Sequence, residues 1–508
     1  MNPVHIDGNK LSFEDLRQVV YDRRPVAVSD EARRKINAAR AVVDRIVRED
    51  RVAYAITTGV GKLSDVHIDP AQNRELQLNL IRSHSAGVGE PLSQEETRAM
   101  MLLRANSLAK GFSGVRGDVI DLLCHMLNSG VHPVIPSQGS VGASGDLAPL
   151  AHLALGMIGE GEVVFENARV NGADALRRAG IKPLIPEAKE AISLINGTQA
   201  MLAVGTLALL KAENLAESAD VLGAMSLDAL HGTDVAFDER IHSARPHSGQ
   251  MKVAADLRRL IAGSEIRQSH KDCGRVQDAY SLRCIPQVHG AVRDTLEFCR
   301  RTFEIEMNSA VDNPLVFADS GSEGDVISGG NFHGQPLAFA LDYLAIALAA
   351  LAGISERRIE RLVNPALNEG LPPFLATGAG LNSGFMLPQI TAAALASENK
   401  IFAHPASVDS ITTSGNKEDY VSMGMAAAIK LKKVVANTAH VLAIEACTAA
   451  QALDFLAPLK TSRLLQQAYT TIRSVSQRVE HDRALSQDIL AMASVLIDGK
   501  LARVTGVN

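Results

Sequence analysis

Apolar positions recur at helical spacing along most of the chain. Residues 29–48 read as an amphipathic helix with Asp30 and Glu31 in its first turn. Residues 93–108 read as another, opened by Ser93-Gln-Glu-Glu96, a capping-box pattern. The stretches 198–230, 335–362 and 423–453 are longer than an average helix, rich in Ala and Leu, and apolar on more than one face. Such helices need neighbours on most sides, in a bundle or across a subunit interface. Residues 146–157 read as a shorter helix, and short strands are expected near Glu162–Phe165 and Leu315–Phe317. Gly-, Pro-, Asn- and Ser-rich segments punctuate the helices at 57–61, 137–145, 312–314, 328–336, 377–384 and 407–416. Loops on a rigid helical frame are where chemistry is usually carried. The pattern divides into an N-terminal α/β part (1–200), a central long-helix bundle (201–460) and a C-terminal helical region (461–508).

Composition narrows the class. At 508 residues the chain has room for a large buried interior, as a prior about three domains' worth. The absence of Trp and the Ala/Leu-rich segments favour helices over strands. The net charge of −6, with no basic block, points away from nucleic acid and anionic membranes. The apolar run 337–354 is interrupted by Asp342 and reads as a buried helix rather than a membrane span. Asp7, Glu14 and Asp15 leave no apolar core for a signal peptide. Cys124, Cys273, Cys284, Cys299 and Cys447 are odd in number and form no Cys-x-x-Cys, which fits a reducing cytoplasm and no metal site.

The candidate chemistry centres on residues 139–150, Gly-Ser-Val-Gly-Ala-Ser-Gly-Asp-Leu-Ala-Pro-Leu. Ala143-Ser144-Gly145 can cyclise on itself. The Gly145 nitrogen attacks the Ala143 carbonyl carbon, and loss of two waters, one involving the Ser144 hydroxyl, leaves 4-methylideneimidazol-5-one. That ring is a strong electrophile, and none of the twenty side chains is one. Glycine suits the attacking position because it has no side chain to block a compressed backbone. A helix starting at residue 146 would set the ring near its N-terminus, where the dipole favours an electron-rich adduct. Ala-Ser-Gly alone is more often a turn before a helix; the flanking Asp-Leu-Ala-Pro-Leu makes it specific.

The run resembles the active-site signature of the aromatic amino acid lyase family, most closely its histidine lyases, and the resemblance recurs from about Tyr54 to Glu418. It implies a mainly α fold, a long-helix bundle with a fumarase/aspartase-like superhelical core and a smaller N-terminal α/β part. It also implies a homotetramer whose active sites are each built from three subunits. The implied reaction converts L-histidine to trans-urocanate and ammonia with the self-made ring and no external cofactor. Arg283, in Val276-Gln-Asp-Ala-Tyr-Ser-Leu-Arg283, matches the carboxylate anchor, a role suited to a planar guanidinium fork. Tyr54 matches the catalytic acid/base, although an ordinary phenol, with a pKa of about 10, must be shifted to act near neutrality. Tyr280 matches a helper in forming or holding the electrophile. Asn196 and Gln277 match residues that hydrogen-bond the electrophile or the substrate's amine and carboxylate. Phe332 matches a residue packed beside the electrophile, and Asn313 a further motif position.

Two positions speak to the substrate ring. His84, in Arg82-Ser-His-Ser85, resembles the Ser-His pair of histidine lyases, and Glu418 stands where phenylalanine and tyrosine lyases carry Gln. Glu418 is also a catalytic candidate, for proton transfer. A carboxylate can pair with an imidazole N–H, whereas a phenyl ring would bury that charge unpaired.

The sequence departs from the pattern around Tyr54-Ala-Ile-Thr-Thr-Gly-Val-Gly61, where histidine lyases read Tyr-Gly-Ile-Asn-Thr-Gly-Phe-Gly. Asn416-Lys-Glu-Asp-Tyr420 replaces Asn-Gln-Glu-Asp-His, and Lys417 would lower the Glu418 pKa if their side chains met. The same chemistry on tyrosine or phenylalanine, as a lyase or a 2,3-aminomutase, is the near alternative. A serine hydrolase built on Ser107-x-x-Lys110 or Ser144 is a remote one, with no Gly-x-Ser-x-Gly elbow to support it.

Overall fold

The computed structural model describes every residue except Ser322 and Asn508. Helices dominate, as the apolar pattern predicts. The three longest expected helices form at Gln199–Ala229, Gln335–Val363 and Gly424–Asp454. A fourth, Ile285–Met307, is one that the pattern does not single out. The C-terminal region folds as Arg463–Arg473, Ser486–Ile497 and Lys500–Thr505.

The chain divides into two compact units, each assembled from three segments. The first comprises Met1–Leu207, Arg300–Leu341 and Pro405–Ile429; the second comprises Ala208–Cys299, Asp342–His404 and Lys430–Asn508. All the named strands belong to the first unit. Val4–Ile6 pairs in parallel with Val26–Val28. Glu162–Phe165 is the middle of a three-stranded antiparallel sheet, between His132–Pro133 and Ala168–Asn171. Leu315–Phe317 pairs antiparallel with Asp325–Ile327. An apolar cluster of Val42, Val43, Ile46, Ile56 and Val316 ties this last strand to the helix Asp30–Arg48. In the second unit, Ala352, Ile359, Ala392, Val441 and Ile444 from three helices make a comparable cluster.

The helix Asp30–Arg48 is amphipathic and is capped by Ser29, whose hydroxyl accepts the Ala32 N–H. The next expected amphipathic helix differs. Gln94–Ala109 has its capping box, with the Ser93 hydroxyl and the Glu96 carboxylate each accepting the other's N–H, but it has no solvent face. Every residue from Glu96 to Ala109 is buried. Its polar side chains are interior because each finds partners there, as burial of polar groups demands. Arg98 donates to Val19 O and Leu127 O, and Asn106 accepts the Gly8 N–H and donates to Met307 O.

By length and composition Gln335–Val363 could cross a membrane, but 61% of its most apolar window is buried within the protein. Phe339, Tyr343 and Ile346 remain exposed along it.

Candidate active site

The loop carrying Ala143, Ser144 and Gly145 is held by its own unit from several directions. Ala143 is buried in a small apolar cluster with Val421 and Met423. The Ser144 hydroxyl donates to Glu418 Oε1 at 2.7 Å. The Ser144 carbonyl accepts from Asn196 Nδ2 at 2.7 Å. Gly145 forms an isolated parallel bridge with Gly197, with φ at +71°. A Cβ at Gly145 would overlap the Gly197 carbonyl, so only glycine fits here.

The helix after the loop begins at Leu147, one residue later than its sequence predicts. Asp146 occupies the cap position without capping it. Its carboxylate instead accepts from Met201 N and Ser140 Oγ, each at 2.8 Å, while its own N–H donates to Gly197 O at 2.7 Å. Burial pushes its pKa up to about 6, against the pull of those hydrogen bonds.

Glu418 lies opposite. Its second oxygen accepts from Thr413 Oγ1 at 2.6 Å, so hydroxyls, rather than the Lys417 ammonium, occupy both oxygens. The Glu418 charge is also felt at His84, the last residue of the helix Asn73–His84. His84 Nδ1 lies 2.8 Å from Leu80 O. A carbonyl can only accept, so the network assigns the proton to Nδ1 and a lone pair to Nε2. Burial lowers the His84 pKa, opposed by the Leu80 contact and by Glu418, and keeps the ring neutral near pH 7.

Tyr54 reaches this neighbourhood through its loop. Its phenol oxygen accepts the Gly61 N–H at 3.1 Å, and a Cβ at Gly61 would stand 2.9 Å from Ser414 Oγ, four residues before Glu418. Ala55 sits at φ +56°, in the left-handed region that favours glycine, and its N–H donates to Thr58 Oγ1. Asn313 braces the next loop, accepting Gly329 N–H at 2.7 Å and donating to Ser328 Oγ. In that loop Phe332 is half-buried, and His333 stacks on Tyr420.

Gln277, Tyr280 and Arg283 belong to the second unit. Tyr280 and Arg283 bound a single helical turn, with the Arg283 guanidinium 4.6 Å from the centre of the Tyr280 ring. Tyr280 is 72% exposed, Gln277 is exposed too, and the buried Arg283 Nε has no partner. Asp278 anchors this segment by accepting from Thr233 N at 2.6 Å and Arg275 Nη1 at 3.0 Å.

Thr413, Gly197 and Asp278 are contributors that the residue-by-residue reading does not single out. Asp278 and Gly197 adjoin predicted site residues, which is the available signal; Thr413 lies in the loop segment 407–416, which does not single it out. The Ser107–Lys110 pair is structural. Ser107 Oγ donates to Ser309 O, and Lys110 Nζ donates to Gly8 O, Asn9 Oδ1 and Asn308 O. Among the described residues no cluster of His, Cys, Asp and Glu is arranged to hold a metal ion.

The profile described as aromatic amino acid lyase matches residues 11–474, and the chain belongs to that family. It is 68% identical to a histidine ammonia-lyase of Koribacter versatilis, over 99% of both chains. Among solved structures it is similar to histidine ammonia-lyase from Trypanosoma cruzi, with a TM-score of 0.92 and 46% identity over 99% of this chain and 95% of that one. It is also similar to tyrosine aminomutase from Streptomyces globisporus, with a TM-score of 0.94 and 39% identity over 99% and 98%. These likenesses bear out the mainly α lyase fold expected from the sequence.

Proposed function

We propose that the chain eliminates ammonia from L-histidine to give trans-urocanate, using a 4-methylideneimidazol-5-one formed from Ala143, Ser144 and Gly145. The observation that carries this reading is the convergence on one loop of Asn196, Glu418 and the Gly145–Gly197 contact. The residues fit the ring. Gly145 has no room for a side chain, and Asn196 already donates to the oxygen that becomes the ring carbonyl. Once formed, the group would supply an electron-poor methylene, an electrophile that would make the substrate's nitrogen a better leaving group.

The chain's own residues do the rest. Asn196 Oδ1 is buried without a partner and is free to accept from the substrate ammonium. Loss of the Ser144 hydroxyl frees Glu418 Oε1, which then turns to the imidazole N–H. The lone pair on His84 Nε2 is a second acceptor when the substrate ring is an imidazolium, whose two nitrogens both donate. Tyr54, its oxygen located by Gly61, takes the β-proton. Phe332 packs beside the ring. Arg283 anchors the carboxylate, Gln277 adds a hydrogen bond, and Tyr280 helps hold the electrophile. These three enter through a homotetramer whose active sites are each built from three subunits. The exposed Phe339, Tyr343 and Ile346, on one long helix, support burial in such an assembly. The five free cysteines support a cytoplasmic location.

The test supplies purified protein with L-histidine, L-tyrosine and L-phenylalanine in parallel and follows ammonia and the near-ultraviolet absorbance of the conjugated acid. Urocanate from histidine alone is expected. Turnover of tyrosine, with a β-amino acid product, would replace this reading with the aminomutase that the 39% identical neighbour makes the second choice.

A further inference from the structure

Against Gly197 lies Arg104, fully buried on the helix Gln94–Ala109. A Cβ at Gly197 would overlap Arg104 Nη1, just as one at Gly145 would overlap Gly197 O. Gly145 therefore touches the Gly197 backbone, and Gly197 touches the Arg104 guanidinium, with no room for a side chain at either glycine. The guanidinium is itself fixed. Nη1 donates to Gln199 Oε1 at 2.7 Å and Nη2 donates to Ser193 O, while Nε is buried without a partner.

A second buried pair stiffens the surroundings. Lys189 Nζ lies 3.0 Å from Asp312 Oδ2 and 2.8 Å from Ser193 Oγ, and Ser113 Oγ donates to Asp312 Oδ1 at 3.0 Å. Burial pushes the Arg104 pKa down to about 10, with Asp312 opposing, so the group is still cationic at neutral pH. Burying a cation is costly, and an apolar side chain would fill the same volume at less expense. A flat, rigid plate is what the guanidinium offers and an aliphatic chain does not.

We propose that Arg104 is a positioning residue for ring closure: it backs the Gly197 peptide and holds it against Gly145, keeping residues 143–145 compressed. The inference rests on the reading that this triad cyclises. In that step the Gly145 nitrogen bonds to the Ala143 carbonyl carbon, and the carbonyl oxygen leaves as water with the Gly145 and Ser144 amide protons as Ala143 C=N(Ser144) forms. The second water is the Ser144 hydroxyl with its Cα proton, leaving the exocyclic methylene. No oxidant or other reactant is needed. Asp146 and Thr198, the residues next after the two glycines, tie down each side of the contact, through Met201 N and Glu306 Oε1 respectively. Arg104 is the group that presses on its middle.

The test is the intact mass of Arg104→Lys and Arg104→Met beside the wild type and Ser144→Ala. Far-ultraviolet circular dichroism and oligomer size report whether each variant has folded. A wild type lacking two waters, with folded Arg104 variants mostly at the unmodified mass, is the expected result. Folded Arg104 variants with the full deficit overturn the inference and leave the proposed activity standing. A wild type at the unmodified mass sinks both. If neither Arg104 variant folds, Gln199→Met decides, because it removes the acceptor that orients Nη1. Its mass deficit is expected to develop more slowly after synthesis, and a wild-type time course would overturn the proposal.

Discussion

The Ala143–Ser144–Gly145 loop is gripped by Asn196, Glu418, Gly197 and the bonds of Asp146, all from its own unit. The segment Gln277–Arg283 is gripped differently. Asp278 ties it down to Thr233 and Arg275, while Tyr280 stands in solvent and Arg283 stacks on it with one nitrogen unpartnered. The first region is finished and stiff, the second anchored but open. Under the proposed mechanism the difference has a chemical sense. Ring closure must compress a backbone, which only a rigid surround can do. Gripping a carboxylate needs a positioned cation that is completed on assembly.

Breaking either region should therefore give a different defect. Ser144→Ala is the largest break: turnover is expected to fall by about 10³-fold or more, the scale seen when the reacting group itself is removed. The protein should still fold and still bind histidine, measured by calorimetry; near wild-type turnover would sink the electrophile. Glu418→Gln keeps the shape and removes the charge. A fall of about 10²–10⁴-fold in kcat is expected, the range of a lost acid–base group. The mass deficit of two waters should survive, since the amide can still accept from Ser144. Unchanged kcat on histidine would mean that Glu418 selects nothing. Arg283→Lys belongs to the open region. Losing a bidentate grip on a charged group costs about 1.5–3 kcal/mol, so KM for histidine should rise by about 10–100-fold. The deficit of two waters should again match that of the wild type, and its loss would mean the two regions are not separable.

The stiff unit should also carry a pH signature. His132 is buried, with Arg98 Nη1 at 2.9 Å from its Nε2. Burial first, then Arg98 and Arg23, pushes its pKa down to about 3. The folded state resists a proton that the unfolded chain accepts near pH 6.5. Stability is thus fully present above pH 6.5 or so and is lost as pH falls toward about 3. The loss, discounted for relaxation, is on the order of 1–2 kcal/mol. Denaturant midpoints of His132→Gln between these limits should depend less on pH than those of the wild type; parallel profiles would remove His132 from the account.

How legible this was depends on what kind of constraint each residue answers. The Ala143-Ser144-Gly145 run and its partners Asn196 and Glu418 were readable because each lies in a motif that resembles those of the aromatic amino acid lyases. The long helices were readable from Ala and Leu on several faces. The buried character of Gln94–Ala109 was not, because Arg98, Arg104 and Asn106 are residue types ordinarily found at the surface. Their interior partners, Leu127 O, Gln199 and Met307 O, are 29, 95 and 201 residues away in sequence. A local pattern contains no trace of them. The Lys417–Glu418 adjacency misleads for the same reason, since Ser144 and Thr413 take both oxygens of Glu418.

The smallest effect is expected at Ala55, where the sequence breaks the glycine pattern and the backbone has the glycine conformation, φ +56°. A left-handed alanine costs about 1–2 kcal/mol. Replacing it with glycine removes that strain. It also frees the unfolded chain, at a cost of about 0.4–1 kcal/mol. The methyl is nearly buried, with Ala55 3% exposed, and losing it costs about 0.8 kcal/mol more. These opposing figures nearly cancel, which explains how alanine is accommodated beside Tyr54. Ala55→Gly should therefore shift the unfolding free energy by less than about 1 kcal/mol in either direction. A loss above about 2 kcal/mol would show that methyl packing, rather than backbone conformation, governs this turn. The Tyr54 loop would then count with the stiff region.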